Sequence, residues 1–174
     1  LTKQGYTVRC LARRPAFIRP SLTERCDCVQ ADLLEPDSLV SALQGVHTAY
    51  YLVHSMGSGG SFESEERQGA ENFGRQAERA GVRRIIYLGG LGGDHVELSP
   101  HLQSRHRVGE ILRSFQVQVI EFRASVVIGS GSLSFEMVRA LVERLPVMIT
   151  PRWVSVPTQP IAVRDLVQYH IDGL

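Results

Sequence analysis

The feature that most constrains this chain is its alternation of short β-rich runs with helix-patterned runs that end at glycine. Val46 to Val53 (VHTAYYLV) is almost continuously apolar and β-rich, as expected of a strand covered on both faces. Pro36 to Gly45 opens on proline, carries apolar residues at helical spacing and stops at glycine, which predicts a helix. Further upstream, Tyr6 to Leu11 and Cys28 to Ala31 read as strands, and Lys3-Gln4-Gly5 reads as a helix end with Gly5 at the C-cap. Downstream, Glu63 to Gly81 is a polar-faced helix and Arg84 to Leu88 a strand that runs into Gly89, Gly90, Gly92 and Gly93. Leu98 to Phe115 is a helix, Val117 to Ile128 a strand and Phe135 to Leu145 a helix stopped by Pro146. Thr158 to Val163 is a late short strand, and Arg164-Asp165 starts a last helix. This alternation predicts an α/β chain: a doubly wound parallel sheet with helical crossovers. No repeat or low-complexity linker interrupts the 174 residues, so residues 1–174 are expected to form one domain.

Composition removes several classes of function. Nineteen basic residues against 18 acidic ones leave a net charge of +1, which offers no general attraction to nucleic acid or to a membrane surface. The basic groups Arg83-Arg84 and Arg105-His106-Arg107 lack the interleaved aromatics of a nucleic-acid site and read as solvated helix ends. No apolar run approaches the ~18 residues of a membrane span. Cys10, Cys26 and Cys28 are an odd number in a spacing that fits neither a C-x-x-C redox motif nor a four-ligand zinc site. Reduced thiols, a cytoplasmic location and no metal are therefore expected. Lys3 is the only lysine, so any lysine-dependent chemistry is confined to that position.

In open α/β sheets, ligands bind outside the carboxyl ends of the strands. Here those ends carry Ala12-Arg13-Arg14, Asp32-Leu33, His54-Ser55-Met56-Gly57, Gly89-Gly90 and Ser130-Gly131-Ser132. Glycines and small polar residues let a ligand approach the backbone, although strand-to-helix turns need them anyway. Arg13-Arg14 ties the pattern together. An acidic residue beside the adenosine ribose of a dinucleotide selects a free 2′-hydroxyl, whereas arginine accommodates a 2′-phosphate. Two guanidiniums stand where that acid would be, which favours NADP(H) over NAD(H); the alternative is a solvated surface pair.

The runs RCLARRP, ADLLEPDSLVSALQGVHTAYYLVHSMG, GVRRIIYLGGLG, SPHLQSRHRVGEILR, EFRASVVIGSGSLSFEMVRALVERLPVM and TQPIAVRDL, in that order, resemble atypical short-chain dehydrogenase/reductases of the NAD(P)H-binding, NmrA-like kind. The likeness is greatest to the bacterial group in which a domain of unknown function follows the Rossmann domain. It implies a Rossmann-type domain that binds a nicotinamide dinucleotide and belongs to an oxidoreductase of undefined substrate. Carried over by position, Arg13 and Arg14 meet the ribose phosphate, Asp32 and Leu33 flank the adenine, and His54 and Ser55 pass under the nicotinamide ribose. Gly89 and Gly90 complete the cofactor side.

The same resemblance exposes a departure. Short-chain dehydrogenases use a Ser after the fourth strand seen here, and a Tyr and Lys four residues apart on the next helix, the Tyr acting as acid. The Ser position reads Gly89 or Gly90, and the Tyr and Lys positions read His101 and Arg105. Independently of alignment, no Tyr in the chain has a Lys four residues after it. His101 can serve as acid or base near neutral pH, with Arg105 holding an anion, or it can simply begin an exposed helical turn.

The family's G-x-x-G-x-x-G phosphate loop is not found before a helix here. Leu1 to Gly5 reads as the tail of the first helix, so the first strand and that loop are expected upstream, leaving this chain as a fragment. In strand order 3-2-1-4-5-6 that strand is central, and its two neighbours would be left with open edges. Alone, such a segment is expected to bind dinucleotide poorly and to aggregate. Two functions follow: an atypical NADP(H)-dependent oxidoreductase acting on an apolar substrate held by Met56, Phe135 and Met137, or a non-catalytic nucleotide-sensing or scaffolding domain.

Overall fold

The computed structural model describes residues 1–18, 25–53, 62–92, 98–129, 132–144 and 158–174. Among them the strands are β1 (Val8–Ala12), β2 (Cys26–Gln30), β3 (Thr48–Tyr51), β4 (Arg84–Gly90), β5 (Gln118–Ala124), β6 (Val127–Ile128) and β7 (Ile161–Ala162). The helices are α1 (Pro36–Leu43), α2 (Phe62–Arg79), α3 (Pro100–Arg113), α4 (Leu133–Arg144) and α5 (Val163–Asp172). A 3-10 turn at Thr2–Gln4 ends at Gly5, whose φ of 93° is the left-handed conformation that a glycine cap supplies.

All strand pairs are parallel. β1 pairs with β2, β3-β4-β5 form a second sheet, and β6 pairs with β7. β1 and β3 do not pair with each other.

Helices cover both faces of the β3-β4-β5 sheet, and two consecutive tyrosines show how. Side chains alternate along a strand, so Tyr50 and Tyr51 point to opposite sides. Tyr51 packs edge-on against Phe73 of α2 and against Tyr87 of β4. Tyr50 donates its hydroxyl proton to the His170 carbonyl of α5 at 2.8 Å. The core lies on the Tyr51 side. Leu39 and Leu43 of α1, Ala70, Phe73 and Ala77 of α2, Ile85 and Tyr87 of β4 and Leu112 of α3 form one buried cluster. Leu11 of β1 and Val29 of β2 pack against the same cluster, so the two larger sheets share one core through α1 and α2. Arg9 of β1 reinforces this link, its guanidinium donating to the Ala42 and Gln44 carbonyls at the end of α1, both at 3.0 Å.

One expected element is corrected. The continuous strand Val117 to Ile128 is two strands, because the ladder with β4 ends at Gly90↔Ala124 and the chain then switches partner. Val127 and Ile128 pair instead with Ile161 and Ala162. Ser125, in the break, lies 2.8 Å from Thr158 through their hydroxyls.

Candidate active site and dinucleotide crevice

The carboxyl ends of β2 and β3 meet at Gly69 of α2. A Cβ on Gly69 would lie 3.2 Å from the Leu33 Cβ and 3.7 Å from the Tyr51 hydroxyl. Asn72, one helical turn later, donates to the Leu33 carbonyl at 2.8 Å and fixes the turn after β2 to α2. Glycine at 69 therefore allows the close approach that joins the strand ends into one rim.

The Asp32-Leu33 turn is built from its own side chains. Asp32 Oδ1 accepts from the Leu34 amide at 3.0 Å, and the Asp32 amide donates to Ser38 Oγ at 2.9 Å. This is an Asx turn closed onto the first turn of α1. Leu33 is half-buried against the core. Next to this turn, Ala31 N–H donates to the Ala12 carbonyl at 3.1 Å, so the residues after β1 lie beside those after β2. Arg13 and Arg14 follow directly, both exposed and without an ion pair among the described residues. Two exposed guanidiniums and a half-buried turn thus lie together at this end of the sheet. His54, Ser55 and Met56 lie outside the described residues.

At the end of β4, Gly89 and Gly90 are buried and their Cα faces are occupied. A Cβ on Gly89 would stand 2.6 Å from Glu121 Oε1, and one on Gly90 would stand 2.5 Å from Leu102 Cδ2. Both positions are thus held to glycine by packing. Glu121 is fixed by ion pairs with Arg113 and, at 2.9 Å, with Arg123.

On α3, His101 is exposed in the first turn, which Ser99 caps by accepting from the Leu102 amide at 3.4 Å. Arg105 is half-buried and reaches back to β4, its Nη2 donating to the Leu88 carbonyl at 3.4 Å. Its Nε is buried and has no hydrogen-bond partner among the described residues. The Arg105 carbonyl accepts the Tyr87 phenol proton at 2.9 Å. Burial raises the Tyr87 pKa to about 12 despite the opposing charge of Arg105, so this phenol stays protonated at neutral pH. Burial raises Tyr51 as well, helped by Tyr87.

Around this end of the sheet Glu66 and Ser104 escaped the sequence reading, and His106, expected in a solvated helix end, is instead half-buried. His106 Nε2 lies 3.1 Å from the Gly90 carbonyl, nearer the end of β4 than exposed His101. Glu66 of α2 and Ser104 of α3 are both 7% exposed and share a short hydrogen bond from the Ser104 hydroxyl to the Glu66 carboxyl. The available signal for Ser104 was spacing: Ser104, Val108 and Leu112 recur every four residues and are buried positions of α3. Of the expected apolar substrate contacts, Phe135 is half-buried and Met137 exposed on α4.

The arginine groups are largely committed internally. Arg84 donates to Gln118 and to the Gly173 and Leu174 carbonyls, and Arg107 pairs with Glu110 at 3.7 Å. No helix among the described residues is long and apolar enough to cross a membrane, and no cluster there could hold a metal ion.

Comparison with known proteins agrees with this geometry. The chain is similar in fold to Citrobacter sp. triphenylmethane reductase, solved with NADP(H), at TM-score 0.62 and 17% identity over 78% of this chain and 45% of that one. It is similar to the Bordetella bronchiseptica enzyme WbmH, solved with NAD+, at TM-score 0.76 and 16% identity over 99% of this chain and 65% of that one. A third likeness is to DesIV, a dTDP-glucose 4,6-dehydratase from Streptomyces venezuelae solved with NAD, at TM-score 0.70 and 16% identity over 92% and 60% of the two chains. The chain thus spans 45% to 65% of the length of these structures. No curated protein matches it in sequence. A family model described as NAD(P)H-binding matches residues 1–134, and the chain belongs to that family.

Proposed function

We propose that the chain binds NADP(H) in preference to NAD(H) and serves an atypical, NmrA-like oxidoreductase that works without a Tyr-Lys relay. The observation that carries this reading is the pair Arg13-Arg14, exposed and unpaired among the described residues beside the Asp32-Leu33 turn. In it, Arg13 and Arg14 hold the 2′-phosphate while Asp32 and Leu33 flank the adenine. His54, Ser55, Gly89 and Gly90 line the path toward the nicotinamide. The bound nicotinamide supplies hydride chemistry. The chain's own part is to orient it and to provide a proton donor, with His101 as that donor and Arg105 as the anion holder. The substrate is a small apolar molecule contacted by Met56, Phe135 and Met137. Free cysteines fit a cytoplasmic setting.

A second reading, a nucleotide sensor or scaffold without turnover, draws on a specific observation. Arg105 already reaches the Leu88 carbonyl and His101 faces solvent, so neither stands in a closed catalytic geometry. NADPH consumption across a panel of quinones, enones and carbonyls separates the two. Turnover lost in His101→Ala with unchanged NADPH binding supports the enzyme; binding without turnover on every substrate supports the sensor.

A further inference from the structure

The three cysteines lie together on the β1-β2 sheet. The ladder sets Val8 opposite Cys26 and Cys10 opposite Cys28, so all three thiols emerge on one face at alternate positions. The other face holds Arg9, which grips α1, and Leu11 and Val29, which join the core. The thiols therefore occupy the face turned away from the core cluster. Cys10 Sγ and Cys26 Sγ are 3.4 Å apart, and both residues are half-buried, whereas Cys28 is 7% exposed. Cys26 also borders a shallow depression of about 440 Å³ with Thr7, Arg25 and Asp27.

We propose that Cys26 and Cys10 form a hydroperoxide-sensitive dithiol, in which Cys26 is the sulfur oxidised first and Cys10 resolves it into a disulfide bridging β1 and β2. The Cys26 thiolate attacks the O–O bond of the hydroperoxide, giving a sulfenic acid and, after one proton is taken up, an alcohol or water. The Cys10 sulfur then attacks the sulfenic sulfur, whose S–O bond breaks as the hydroxyl leaves as water with the Cys10 proton, and an S–S bond forms. Overall the two thiols lose two electrons and two protons, and the peroxide gains them. The order of roles follows from the depression beside Cys26 and the burial of Cys10. Burial, then the hydrogen bond with Cys26 and the neighbouring Cys26 and Cys28 thiols, raises the Cys10 pKa to about 11, so Cys10 retains its proton until a sulfenic acid is beside it. Cys10 and Cys26 are diagonal in the ladder, where Cys10 faces Cys28, so closing their sulfurs from 3.4 Å to a bond length of ~2.0 Å requires the two strands to shift.

The test is treatment of the purified protein with equimolar hydrogen peroxide, alkylation of the remaining thiols and peptide mapping. Cleavage on the amino side of Asp27 separates Cys26 from Cys28. The expected result is a Cys10–Cys26 linkage within one chain, released by dithiothreitol and still formed in Cys28→Ala. In Cys10→Ser, a dimedone adduct should accumulate on Cys26. Unmodified thiols, a Cys10–Cys28 or intermolecular linkage, or a dimedone adduct on Cys28 would overturn the proposal. The map of the unsubstituted protein decides the pairing even where a variant fails to fold.

Discussion

The phenol of Tyr87 donates to the backbone carbonyl of Arg105 at 2.9 Å, tying the middle of β4 to α3 one residue before Leu88 receives the Arg105 guanidinium. Strand and helix are thereby locked together at the middle of β4. Tyr87 is 3% exposed, so the bond is shielded from water. Tyr87→Phe should lower stability by about 1 kcal/mol, read from chemical denaturation.

The same phenol predicts a pH dependence. Its pKa rises to about 12 on folding against about 10 in the unfolded chain. Above the lower value the unfolded chain releases the proton first and so binds fewer protons than the native one. Tyr87's contribution is thus complete below about pH 10 and is lost between about 10 and 12. Denaturation midpoints measured across that window should fall less steeply in Tyr87→Phe; an unchanged slope would show that Tyr87 takes no part.

A serine at position 89, one of the two positions expected for the short-chain dehydrogenase serine, should be disfavoured for a steric reason. A Cβ at Gly89 would sit 2.6 Å from Glu121 Oε1, and Glu121 is held by Arg113 and Arg123. Gly89→Ser should destabilise the protein by about 1–3 kcal/mol. Thermal melts of the Gly89→Ser, Glu121→Ala double variant should recover part of that loss, since the obstructing carboxyl is gone; purely additive losses would contradict the packing explanation.

Ser104 and Glu66 join α3 to α2 in a setting with little water. Removing the hydroxyl in Ser104→Ala withdraws a donor from a buried carboxyl and should cost about 1–3 kcal/mol. A denaturation midpoint unchanged from that of the unsubstituted protein would show that the pair contributes little.

How much of this was legible in the sequence depends on which force fixed each part. Pro36 and Gly5 marked element boundaries because proline and glycine act locally through φ, and the Arg13-Arg14 pair was visible because it follows a strand directly. The break between β5 and β6 was not legible. Val117 to Ile128 carries β-formers on both sides of Ala124-Ser125, and the ladder with β4 ends at Gly90↔Ala124, where the chain changes partner. The roles of Gly89 and Gly90 were legible only in part. Their type suggested ligand approach, while the structure shows Glu121 and Leu102 filling the space, and the residue that excludes a side chain at 89 lies 32 positions away (121 − 89). Asp32 was read as an adenine contact, and its side chain also builds the turn that presents Leu33.

The central claim is that Arg13 and Arg14 recognise the phosphate that distinguishes NADPH from NADH. It is tested most directly by calorimetric titration of both dinucleotides into the protein and into Arg13→Glu. A charge-assisted contact contributes about 1.5–3 kcal/mol, so NADPH affinity should fall roughly tenfold to a hundredfold while NADH affinity changes by less than about threefold. Equal losses for both dinucleotides, or no loss for NADPH, would contradict the account.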